Sequence, residues 1–216
     1  VGACGRTWLS EHPHLVRHPS PEGDVPLYVM AAVLLPRRVH EPTRRDVRKI
    51  AGPTSWWHTV DRQQSSQGRH DVETMIGYLA RFRDACIVTV CVRPTQADTG
   101  IRRASLTALL RELGKSAPAP GVPGPVQLIV FEKQREQSDT DRDRHTIKQA
   151  RRAGHIGRTV QTQWISPSAE NLLWLPDLVS NAYYRYATRG IRWFSSSRPS
   201  SRGSLCPWTQ ATPWLP

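Results

Sequence analysis

Acidic residues are missing from the sequence beyond Asp177, where Arg185, Arg189, Arg192, Arg198 and Arg202 all fall. Over the whole chain 30 Lys and Arg stand against 18 Asp and Glu, a formal charge of +12. That excess favours a polyanionic partner, nucleic acid above all, because each neutralised phosphate releases condensed counterions. The other reading is a basic tail that raises the isoelectric point without an ordered binding surface. Long apolar runs are missing too. The longest, around Tyr28–Leu35, falls far short of the roughly 20 residues needed to cross a bilayer. The first residues lack the apolar core of a signal peptide. A cytoplasmic protein with no membrane partner is therefore expected. Cys4, Cys86, Cys91 and Cys206 form no Cys-x-x-Cys pair, so free thiols are expected rather than a disulfide framework. His12, His14 and His18 lie close together, but no Cys or second His pair completes a zinc-type spacing. P-loop, G-x-G-x-x-G, G-x-S-x-G and H-E-x-x-H signatures are absent, which weakens nucleotide-binding, hydrolase-triad and zinc-protease readings.

What is present is a succession of apolar runs and amphipathic stretches. "LYVMAAVLLP", "ACIVTVCVR" and "VQLIVFE" are apolar on both faces, as strands covered on both sides are. "TVQTQWIS" alternates like an edge strand, and "RTWL" is a short candidate first strand. "DVETMIGYLARFRD" has helical spacing with Asp71 as N-cap, and "SLTALLRELGK" has Ser105 as N-cap and Gly114 as its stop. "DRDRHTIKQARRAG" predicts a charged helix started by Asp141 and Asp143 and ending at Gly154; "RRVHEPTRRDVRK" predicts a basic loop with a short helix. A last helix covers Glu170–Tyr186. Strands alternating with helices predict a mixed α/β layer fold.

The order of these pieces resembles the bacterial domain-of-unknown-function 3800 family, especially its actinobacterial members. The counterparts are "RTWLSEH" for a strand ending in Asp-Glu-Ser, "YVMAAVLLP" for a strand like "YVLAAVLV", "SWWHTV" for an aromatic-His patch, "LIVFEKQ" for a strand ending in Glu, and "NLLWLPDLVSNAY" for a last helix like "LLWIADAV". The resemblance covers roughly Arg6 to Ala187. It implies a ribonuclease H-like fold, a mixed sheet with helices on both faces, over residues 25–190. Residues 1–24 are then an irregular segment holding the first strand, and 191–216 a disordered basic tail. By the same resemblance, Asp177, Glu132 and Glu11 are expected to hold Mg²⁺ or Mn²⁺ for phosphodiester hydrolysis. His58 is expected to orient a phosphate or water. Two departures stand out: Ser10 takes the place of the family's first-strand Asp, and Pro176 the place of the usual Ala before Asp177.

Each site residue also has a plainer reading. Asp177 follows Pro176, so it suits the first turn of a helix capped by Leu175, where the dipole favours a carboxylate. Were the helix to start near Ser168, Pro176 would kink it. Glu132 opens a polar run and reads equally as a solvated strand end; His58 reads equally as a packed residue beside Trp56 and Trp57. The two functional classes left open are a metal-dependent nuclease or phosphodiesterase, impaired by Ser10, and a non-catalytic nucleic-acid- or protein-binding module of the same fold.

Overall fold

The computed structural model describes residues 5–12, 28–81, 86–92, 100–115 and 126–189, with side chains for 28–81, 100–114 and 126–185. In chain order the first half runs β1 (Gly5–His12), β2 (Tyr28–Pro36), α1 (His40–Ala51), α2 (Thr59–Arg62) and α3 (Ser66–Arg81). The second half runs β3 (Cys86–Val92), α4 (Ile101–Lys115), β4 (Val126–Glu132), α5 (Gln137–Arg152), β5 (Gln161–Ile165) and α6 (Trp174–Arg189). The strands form one mixed sheet in the order β3-β2-β1-β4-β5. β2 is antiparallel to both its neighbours, whereas β1, β4 and β5 are parallel. The protein is thus an α/β domain.

The continuous apolar runs of β2 and β4 follow from burial on both sides. Ala31, Val33 and Leu35 with Leu128 and Val130 pack against α1, α3 and α6 through Val47, Met75, Leu79, Trp174 and Leu178. The alternate residues Met30, Ala32, Leu34, Ile129 and Phe131 pack against α4 and α5 through Leu106, Leu110, Leu113, Ile147 and Ala150. Side chains two apart on a strand share a face, so one sheet divides the interior into two cores. Terminal residues 1–4 and 190–216, including the expected tail, lie outside the described residues.

Several helix starts differ from the sequence reading. Asp71 is not a cap but a buried residue of α3, accepting from Gln67 Nε2 at 2.8 Å. The cap is Ser65, whose Oγ accepts from Gly68 N at 3.0 Å. The first turn of α3 is mostly exposed and polar, so apolar periodicity begins only after it. α4 starts four residues before Ser105, which lies buried inside the helix. Gly114 is likewise no stop, because α4 runs on to Lys115. Its missing side chain instead admits the neighbouring chain: a Cβ there would meet His155 O at 1.8 Å. The basic stretch after β2 forms the full helix α1; polar His40 and Thr43 occupy part of its buried face.

Between α4 and α5 lies a buried ion pair. Arg102 Nε donates to Asp143 Oδ1 at 2.9 Å and Nη2 to Oδ2 at 2.6 Å. Asp143 is therefore the partner of a helix 41 residues away, not a helix starter. Burial first, and the Asp143 charge second, push the Tyr28 phenol well above its ordinary value. A raised acid group holds its proton in the folded protein while the unfolded chain releases it, so stability falls as pH rises above about 10. Tyr28→Phe is expected to remove most of that alkaline loss in urea unfolding, with Tyr78, also raised chiefly by burial, leaving the remainder.

Candidate functional site

The most constrained polar cluster joins the segment after α1 to the start of α6. Gly52 ends α1 with φ 72°, and the chain then turns inward so that Trp57 is buried. The Trp57 ring stacks on Trp174 at 6.0 Å between centroids, and its Nε1 donates to Thr59 Oγ1 at 3.0 Å. Thr59 in turn donates twice to Asp177 Oδ2, from its backbone N at 2.8 Å and from Oγ1 at 2.7 Å. The first N–H groups of a helix have no partner within it. Asp177 supplies one for α2 from across the core. Further along, Gln63 Nε2 donates to Asn181 Oδ1 at 3.0 Å. Trp174, Asp177 and Asn181 share one face of α6 through their i, i+3, i+7 spacing, and together they hold the segment from Trp57 to Gln63. The guanidinium of Arg62 lies over the outer side of this joint, 5.2 Å from the Trp57 ring centroid.

The entry to α6 explains why Pro176 is tolerated. The helix begins at Trp174 after a 3-10 turn, Asn171–Leu173, so Pro176 falls in the first turn, where its missing N–H removes no intrahelical bond. No kink is needed, and Leu175 lies inside the helix rather than capping it. Glu170 caps the preceding turn by accepting from Leu172 N at 3.1 Å. Its carboxylate is gripped by Arg44 of α1, Nε at 3.0 Å and Nη2 at 2.6 Å.

At the carboxyl edge of the parallel strands the register matters more than the sequence. β1 and β4 run the same way, so Glu11, near the end of β1, and Glu132, at the end of β4, lie at one edge of the sheet. Cross-strand partners share a face. The position of Ser10 pairs with Ala31, which belongs to the α6 side, while that of Glu11 pairs with Met30, on the α4/α5 side. The last β1–β4 pair is Leu9 with Phe131, so one step on Ser10 is level with Glu132. Even-numbered Glu132 alternates with Phe131 and shares the α6 side of Val130. Ser10, not Glu11, thus holds the position that goes with Glu132 and α6.

His58 immediately precedes α2, and its Nδ1 lies 3.5 Å from Asp61 Oδ2. It adjoins Asp177 through Thr59. A Mg²⁺ or Mn²⁺ ion asks for several oxygen ligands at about 2.1 Å. Asp177 Oδ2 is taken by Thr59, and the register puts position 10, a serine, on the face of Glu132 and position 11 on the opposite one. Among the described residues, no three His, Cys, Asp or Glu side chains form a group able to hold a metal ion.

The charged surface of α5 is partly engaged with itself. Arg142 pairs with Asp139 and Arg144 with Asp141, both at 2.9 Å, and Arg151 Nη2 donates to Val160 O at 2.6 Å. The Trp164 ring is stacked on Phe131 at 5.2 Å with Arg144 over it. Trp174, Asn181, Thr59 and Gln63 were missed as site residues. The α6 spacing was visible in the sequence, whereas its partners lie more than 100 residues away and carry no local signal. Among the described residues no helix is long and apolar enough to cross a membrane. No protein-family model and no curated protein sequence matches the chain.

Proposed function

We propose that the chain is a ribonuclease H-like α/β domain of the domain-of-unknown-function 3800 type that binds nucleic acid without cleaving it. The mixed five-stranded sheet with helices on both faces supports the fold reading. The +12 charge supports the polyanionic partner. The observation that carries the non-catalytic reading is the use to which Asp177 is put: its Oδ2 takes both Thr59 donors and fixes the Trp57–Gln63 segment.

A second reading is a divalent-metal-dependent phosphodiesterase using Asp177, Glu132 and Glu11 with Mg²⁺ or Mn²⁺, and His58 beside them. The parallel pairing that brings Glu11 and Glu132 to one edge favours it. Two bound ions would supply an activated water and stabilise the leaving oxygen. Incubation with labelled single- and double-stranded DNA and RNA in Mn²⁺, Mg²⁺ or chelator separates the readings. The expected result is binding that survives chelator, no cleavage, and binding retained in Asp177→Asn, which still offers Thr59 an acceptor. Metal-dependent cleavage lost in Asp177→Asn would overturn the non-catalytic reading. In that case Ser10→Asp, which sets a carboxylate level with Glu132, is expected to raise the cleavage rate.

A further inference from the structure

Trp56 is 47% exposed and is the one large hydrophobic side chain among the described residues left open to solvent. Its neighbour Trp57 is 2% exposed. The contrast is built into the backbone. Thr54 Oγ1 donates to Trp56 O at 2.7 Å and accepts from Trp56 N at 3.3 Å, and Thr54 N donates to Gly52 O at 2.7 Å. On the other side, Trp57 is stacked on Trp174 and Thr59 is bound to Asp177. The indole of Trp56 is thus presented on a turn fixed at both ends, and little ordering remains to be done when a ligand arrives.

The surroundings select the kind of ligand. The loop leaves the last turn of α1, where Arg48 and Lys49 are exposed, and Arg45 and Arg69 are exposed on α1 and α3. Between positions 45 and 71, the cations Arg45, Arg48, Lys49, Arg62 and Arg69 outnumber Asp46, Asp61 and Asp71, and of these cations Arg62 is paired with Asp71 at 3.5 Å. A protein hot spot usually sits within a ring of further contacts that exclude water, but within positions 52–56 Gly52 and Ser55 carry no apolar side chain and Pro53 alone adds a small exposed apolar group beside Trp56. An exposed aromatic face among cations is instead the arrangement that stacks on an unpaired base while the cations hold the adjoining phosphates.

We propose that Trp56 is a stacking platform for single-stranded nucleic acid, with Arg48 and Lys49 on the backbone. This rests on the nucleic-acid-binding reading and adds to it the strand class and the contact residue. Duplex bases already stack on one another and expose no face, so the platform discriminates between strands.

Anisotropy of a fluorescein-labelled oligothymidylate and of a duplex of equal length tests this on the full chain. Trp56→Ala is expected to weaken single-strand binding about tenfold, in keeping with one lost base–aromatic contact, and to leave duplex binding and the urea midpoint unchanged. Trp56→Phe, which keeps an aromatic face, is expected to restore most of the affinity. Equal single-strand affinity in wild type and Trp56→Ala would overturn the proposal, leave the binding reading intact, and assign the exposed indole to a protein contact. An equal loss for single strand and duplex would overturn it as well. Failure of the wild type to bind any nucleic acid would remove both readings.

Discussion

Asp177→Ala is expected to lower the unfolding free energy by about 3 kcal/mol, because it leaves the Thr59 N–H and O–H buried without their acceptor, at roughly 1–3 kcal/mol each. Relief of the buried carboxylate's own desolvation works against this loss and holds it to the lower half of the roughly 2–6 kcal/mol that two such donors span. The deficit should be shared with one partner. Thr59→Val removes the hydroxyl donor while keeping the backbone N–H, so the two substitutions together should cost less than their sum. Asp177→Asn keeps one acceptor and is expected to lose about half as much as alanine. Urea unfolding of the wild type and the four variants gives these values directly. Hydrogen exchange adds the location: amides of the 52–65 segment should open first in Asp177→Ala, while those of β2 and β4 stay protected. Wild-type stability in Asp177→Ala, with no coupling to Thr59, would sink the anchoring role. It would free Asp177 for a ligand's use.

The anchor and the proposed stacking platform belong to one mechanical unit. Trp56 lies one residue before Trp57 and three before Thr59, so any release of Thr59 from α6 loosens the turn that displays the indole. Asp177 thus acts through Thr59 on the turn that carries Trp56.

Legibility from sequence followed the physics of burial. β2 and β4 were readable because two covered faces demand an unbroken apolar run, and β5 because an edge strand alternates. α1 was underestimated because polar His40 and Thr43 fill buried positions that apolar patterning cannot recognise. The site was legible only in part. Asp177 stood out as a carboxylate in an apolar stretch, yet its partner Thr59 is 118 residues away and no local spacing announces it. The faces of Ser10 and Glu11 depend on strand register, where a shift of one residue exchanges the two sides of a sheet. A linear motif carries no such information.

Arg102→Ala should produce the largest loss of stability on the other side of the sheet. Asp143 has 3% of its side chain exposed and Arg102 21%, and two hydrogen bonds join them. Removing the cation leaves a carboxylate inside the α4–α5 contact with neither charge partner nor donors from α4. Breaking a buried pair in this way costs about 3–5 kcal/mol; Arg102's partial exposure puts the expectation near the lower figure. The sign should reverse in part when the charge goes too. Arg102→Leu with Asp143→Leu replaces an ion pair by apolar contact, and such replacements are often neutral or stabilising. The double variant is therefore expected to recover most of the stability that Arg102→Ala loses, as read from urea midpoints at constant slope. A double variant as unstable as Arg102→Ala would mean that the pair fixes the α4–α5 geometry itself. A loss below about 1 kcal/mol in Arg102→Ala is the figure for an exposed pair, and it would mean that water reaches Asp143 as soon as the guanidinium leaves.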